Sequence, residues 1–173
     1  MKDHVSVEIN TTRQVKAFLM NNFGKEVVFP RGSIYNNHMI LVLSKAYTRH
    51  EDDVAEYAET VKVYISIDVY ERYGCYLNKT QMMYFNTFID EYMKKVLCCY
   101  VDSYLRIVPD AKLMKAIEYG MDMIKISDDD WQTDSVKRFY HRYRTRNGLP
   151  LLYEKKKNIE KLSGETSDLK QTL

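Results

Sequence analysis

Residues 5–9, VSVEI, alternate apolar and polar side chains, and residues 61–67, VKVYISI, repeat the alternation over a longer run. A period of two sends successive side chains to opposite faces of a strand. Val5, Val7 and Ile9 are therefore expected inward, with Ser6 and Glu8 outward. Val61, Val63, Ile65 and Ile67 are expected inward in the second run, with Lys62, Tyr64 and Ser66 outward.

Elsewhere the apolar spacing is helical. TTRQVKAFLMNNFG (11–24) can be capped by Thr11 or Thr12, carries Val15, Phe18 and Leu19 on one face, and stops at Gly24. KEVVFPRG follows as an extended connection. Ser33 is placed to cap a second helix, IYNNHMILVLSKAY, which offers Ile34, Met39, Leu41 and Val42 to a core. After the second strand a short helical turn, DVYERYG, ends at Gly74, and Asn78 can cap a long helix over about 79–105. Its Met82, Phe85, Ile89, Tyr92, Val96 and Cys99 recur at three- and four-residue steps. Asp90 with Lys94 and Glu91 with Lys95 add charge pairs one turn apart. Pro109 and Asp110 are expected to open DAKLMKAIEYGMDMI, with Leu113, Ile117, Met121 and Ile124 as its stripe. SDDDWQTDS reads as a cap-rich turn, and a last helix runs over 134–146 to the stop at Asn147-Gly148 and Pro150.

These elements predict an α+β fold, mainly helical, with a small two-stranded antiparallel ribbon and a helical C-terminal half. A strand-helix-helix unit at 1–48 and a strand-helix unit with C-terminal helices at 60–162 are expected to share one globular core. RHEDDVAEYAE (49–59), with five acids, reads as a surface connector, and 163–173 as a flexible tail.

Net charge adds little at +2, but its distribution matters. Residues 134–161 hold nine Lys or Arg against three acids, so basic charge is segregated toward the C-terminus. Cys75, Cys98 and Cys99 are odd in number, two are adjacent, and no C-x-x-C occurs, which argues against a disulfide framework or zinc site and for a reducing cytoplasm. MKDHVSVEIN has no apolar signal-like region, and the longest apolar run, MILVL at 39–43, is far too short to span a bilayer. A soluble protein without membrane contact is expected.

The basic segment carries the clearest chemistry. SVKRFYHRYRTRNG (135–148) holds five Lys or Arg and three Tyr or Phe. On a helical wheel Val136, Phe139, Tyr140 and Tyr143 share one side, while Lys137, Arg138, His141, Arg142 and Arg144 take most of the rest and Arg146 flanks them. Such a helix can dock by its aromatic side and hold its guanidinium groups in water. Guanidinium groups grip phosphates bidentately, and each neutralised phosphate releases counterions. The same pattern suits an acidic protein surface, or a solvated face paired with Asp128, Asp129 and Asp130. Those three acids precede a helix, where they favour the positive dipole end, so capping explains them better than a metal ion. Trp131 beside them reads as a core anchor. Histidines 4, 38, 50 and 141 show no metal-ligand spacing, and no nucleophile elbow, P-loop or dinucleotide fingerprint occurs. No enzyme activity, cofactor or metal is expected, and Cys98 and Cys99 read as small core residues.

The order strand, helix, turn, helix in residues 5–46, and again from 61 to about 97, resembles the ribbon-helix-helix family of DNA-binding proteins. The resemblance implies that one chain forms a pseudo-dimer whose paired strands enter the major groove. Ser6, Glu8, Lys62, Tyr64 and Ser66 would then face base edges, and the amides after Ser33 or Asn78 would hold phosphate. An ordinary strand pair within an α+β domain accounts for the same alternation. The chain is also similar in style to small uncharacterised phage and mobile-element proteins, a likeness that implies no activity. The expected function is a cytoplasmic nucleic-acid-binding accessory or regulatory protein that contacts double-stranded DNA. The alternative is a structural or interaction protein of phage origin, binding a virion component or host factor by docking the basic helix on an acidic partner. Homo-oligomerisation is compatible with both.

Overall fold

A computed structural model describes residues 4–45 and 57–150. The chain is α+β and mainly helical, in the order β1 (His4–Thr11), α1 (Arg13–Phe23), β2 (Val27–Val28), α2 (Ile34–Val42), β3 (Glu59–Ser66), α3 (Ile67–Tyr73), α4 (Lys79–Ile107), α5 (Leu113–Met123) and α6 (Thr133–Arg146). Two compact units divide it. The first ends at Lys95 and includes Ile124–Ile126, and the second comprises Val96–Met123 and the residues from Ser127 onward. The acidic run at 49–59 lies mostly, and the segment from 151 wholly, outside the described residues.

In the first unit β1 and β3 pair antiparallel from His4↔Ser66 to Thr11↔Glu59, as the two alternating segments predict. Val7, Ile9, Val61, Val63 and Ile65 are buried on one face. The two-stranded ribbon expected from the sequence is corrected to a three-stranded mixed sheet, because β2 adds to the other edge of β3 in parallel register, Val27↔Val63. A two-residue strand is too short to show a period. Thr12 caps α1, whose Val15, Phe18 and Leu19 are buried, and Ser33 caps α2. At the end of β1 the buried Thr11 hydroxyl donates to Asn86 Oδ1, while Asn86 Nδ2 donates to the carbonyls of Asn10 (2.8 Å) and Met82 (2.9 Å). The strand end is thus tied to α4 without an unsatisfied amide. Phe23, Phe29, Tyr35 and Tyr92 form a ring cluster in the same unit, and burial pushes the Tyr35 hydroxyl well above its ordinary pKa.

Gly74 ends α3 with φ +83°, and a Cβ there would lie 2.2 Å from the carbonyl oxygen of Ser44. Its absence lets Ser44 and Tyr76 form a backbone bridge. In the second unit Gly120 plays a comparable part, since its Cβ would lie 2.9 Å from Val101 Cγ2 and 3.4 Å from the Leu97 carbonyl. α5 therefore sits unusually close to the C-terminal half of α4.

Other departures from the sequence reading arise from helix rotation and from where elements begin and end. In α2, Met39 and Val42 are buried but Leu41 is 81% exposed and Ile34 is also exposed. Residues two apart differ by about 200° on a helix, so Leu41 cannot share the face of Met39. In α4 the buried stripe is Phe85, Ile89, Met93, Leu97, Val101 and Leu105. Tyr92 and Val96 are half-buried and Cys99 is exposed. β3 stops at Ser66, so Ile67 belongs to α3 and is exposed. Asp110 adopts φ +54° in the turn before α5, which starts only at Leu113. Among the described residues, no helix is long and apolar enough to cross a membrane.

Candidate nucleic-acid interface

The start of α6 is fixed by the acidic turn before it. Asp128 Oδ1 accepts from the Thr133 amide at 2.6 Å and from the Thr133 hydroxyl, and these bonds hold its carboxyl below the usual range. Ser127 Oγ donates to Asp130 Oδ2 at 2.6 Å. Among the described residues, no group of three or more His, Cys, Asp or Glu side chains converges as a metal site.

One face of α6 is buried by Val136, Tyr140 and Arg144, spaced four residues apart, and the helix packs against α5. The sequence reading placed Arg144 among the solvated cations, and this is corrected: its side chain is only 2% exposed. Asp102 of α4 draws it inward. Arg144 Nη1 donates to Asp102 Oδ2 at 2.6 Å, Tyr140 Oη donates to Asp102 Oδ1 at 2.6 Å, and Arg144 Nη2 donates to the Pro150 carbonyl. Burial, then the bond to Asp102, push the Tyr140 hydroxyl strongly up. No local signal marks Asp102 in the sequence, because the partners lie 38 and 42 residues away. Phe139 and Tyr143, expected in the core, are half-buried instead. Their rings stand 6.3 Å apart, and Phe139 lies 5.9 Å from Trp131.

The remaining cations form the exposed side. Arg138, Arg142 and Arg146 are exposed at successive four-residue steps, with Lys137 and His141 half-buried alongside. Three guanidinium groups thus extend along about 12 Å of helix axis. Arg138 Nη2 donates to Ser135 Oγ at 3.3 Å and Arg142 Nε to the Arg138 carbonyl at 3.4 Å. Among the described residues, Lys137, Arg138, Arg142 and Arg146 have no carboxylate within ion-pair distance. Asp128 and Asp130 serve the turn through the bonds above.

Lys62, Tyr64 and Ser66 belong to the first unit, whereas α6 belongs to the second. Lys62 is exposed and reaches Glu8 across the strands at 3.3 Å. Tyr64 is half-buried. Ser66 caps α3 by accepting from the Val69 amide at 3.4 Å. No protein-family model, curated protein or solved structure matches the chain.

Proposed function

We propose that this chain is a cytoplasmic nucleic-acid-binding accessory or regulatory protein that grips the phosphate backbone of duplex DNA through α6, without catalysis. The observation that carries the reading is the stripe of Arg138, Arg142 and Arg146, exposed and without a carboxylate partner among the described residues. Surface cations that serve only solubility gain from nearby acids, whereas unpaired guanidinium groups at regular intervals suit a polyanion. The Asp102 contacts hold the helix while leaving this stripe exposed. The ribbon-helix-helix likeness belongs to the same reading, with the exposed Lys62 on the antiparallel β1–β3 pair as its best remaining groove contact.

The second reading, a phage-derived structural or interaction protein, is favoured by the half-buried Trp131, Phe139 and Tyr143 rings beside the cations. Aromatics next to Arg are typical of protein interfaces. Fluorescence-anisotropy titrations with duplex and single-stranded DNA at several salt concentrations separate the two. Each phosphate contact contributes about 0.9 to the slope of log affinity against log salt. Arg138→Gln, Arg142→Gln and Arg146→Gln combined should therefore weaken duplex binding and flatten the slope by about 2 to 3, with the fold retained. Unchanged affinity in the folded triple variant rejects the nucleic-acid reading.

A further inference from the structure

We propose that the first unit holds a separate binding site for a small phosphorylated ligand with a planar or apolar body, of the size of a nucleoside monophosphate. The site is a cleft of about 460 Å³ beside the sheet, whose polar wall includes His4, Arg31, Asn36, Tyr64, Arg72 and Tyr73. Val28, Ile40 and Val69 supply apolar surface. That volume falls within the roughly 300–1,000 Å³ of pockets that hold small ligands.

Its position follows from the topology. β2 and β3 are parallel, and the cleft is lined by the residues at and just beyond their carboxyl ends, Phe29 to Arg31 after β2 and Tyr64 to Ser66 in β3. In open α/β sheets ligands bind outside the carboxyl ends of parallel strands, and the cleft occupies the corresponding place here. His4, at the start of antiparallel β1, comes to the same end through its pairing with Ser66.

Charge selects the ligand class. Arg31 and Arg72 are exposed and have no ion-pair partner among the described residues. Among the described residues, Asp68 is the one carboxylate lining the cleft, and it forms no ion pair with either guanidinium group. The lining therefore carries an excess of positive charge. His4 Nδ1 is buried without a hydrogen-bond partner among the described residues. Buried polar atoms left unpaired are rare in folded proteins, and this one lies on a residue of the cleft wall. Two guanidinium groups match a phosphate bidentately, and Tyr64 and Tyr73 offer rings against which a base can lie. The proposal does not rest on α6.

Titration calorimetry and thermal-shift measurements on the full chain test it, with inorganic phosphate, adenosine and the four common nucleoside monophosphates as probes. At least one monophosphate should bind and raise the melting temperature. Inorganic phosphate should bind about tenfold or more weakly and adenosine weaker still. Arg31→Gln and Arg72→Gln should each reduce monophosphate affinity about tenfold while leaving duplex-DNA binding unchanged. Tyr73→Ala should weaken the monophosphate but not inorganic phosphate. The α6 triple Gln variant should keep full monophosphate affinity, so a failure of the α6 reading leaves this result untouched. No binding of any monophosphate at about 10 mM overturns the proposal. So does binding that survives the folded Arg31→Gln/Arg72→Gln variant, or that disappears with the α6 variant.

Discussion

At Asp102 both carboxylate oxygens are taken, Oδ1 by Tyr140 and Oδ2 by Arg144, and Arg144 is almost wholly buried. Removing one partner of a buried pair strands the other charge, which typically costs about 3–5 kcal/mol. Arg144→Met and Asp102→Asn should each lower the urea midpoint sharply, whereas Asp102→Leu with Arg144→Met should recover most of the loss. Arg142→Gln should leave the midpoint nearly unchanged, because that residue is exposed. Equal midpoints for Arg144→Met and Arg142→Gln would show that the burial of Arg144 carries no stability. Cys98 stands in the same neighbourhood, and burial first, then the Asp102 charge, push its thiol up to about 12. The folded state therefore holds the Cys98 proton more tightly than the unfolded state. The resulting stability is fully present below the ordinary thiol range, near pH 8.5, and is lost as pH rises toward 12. Urea titrations between pH 8 and pH 10 should show a falling midpoint, and Cys98→Ala should make that fall shallower. At pH 8 the exposed Cys99 should react readily with a thiol reagent while Cys98 reacts only on unfolding.

Helix rotation and chain crossings are set at the scale of elements. A Cβ at Gly120 would press on Val101 and on the Leu97 carbonyl, so Gly120→Ala should destabilise by about 1–3 kcal/mol through displaced packing. Gly74→Ala meets a rigid backbone oxygen at 2.2 Å and a positive φ together, and should cost more than Gly120→Ala in the same denaturation assay. The opposite order would show that the Ser44–Tyr76 bridge yields easily. Element identity was legible in the sequence wherever a cap or a period was long enough: Thr12, Ser33, Gly24 and the β1 and β3 alternation all stand where the pattern puts them. Rotation was less legible. A stripe at strict four-residue steps drifts by about 40° each step, so in α4 the pattern is right at Phe85 and Ile89 but departs by Met93, where it picks Tyr92. In α6 the face was chosen by apolarity, which ranks Arg144 as outward. The distant Asp102, together with the Pro150 carbonyl, satisfies that residue on the inward side. β2 was legible only as an extended connection, since it becomes a strand through its pairing with β3 and not through any local pattern.

At the scale of the whole molecule, the basic segment read from the sequence loses Arg144 to the interior and keeps Arg138, Arg142 and Arg146 as its exposed stripe. Charge segregation was legible from the residue counts, whereas the division between neutralised and unpaired cations depended on contacts more than thirty residues apart. α4 is the element common to both units. Its 29 residues supply Phe85, Ile89 and Met93 to the first core and Leu97, Val101 and Leu105 to the second. A helix that long is held mainly by packing of its apolar stripe, because propensity alone stabilises isolated helices only marginally. Loss of either core would leave half of α4 unsupported, so the units should unfold together. Trp131, the chain's single tryptophan, belongs to the second unit and reports on it selectively. Ile89→Ala removes a fully buried side chain from the first unit, at a typical cost of about 2–5 kcal/mol. If α4 couples the two cores, Ile89→Ala should lower the Trp131 fluorescence midpoint as far as the midpoint seen by far-ultraviolet circular dichroism. A fluorescence transition that stays at the wild-type midpoint while the dichroism splits into two steps would show that the units melt independently.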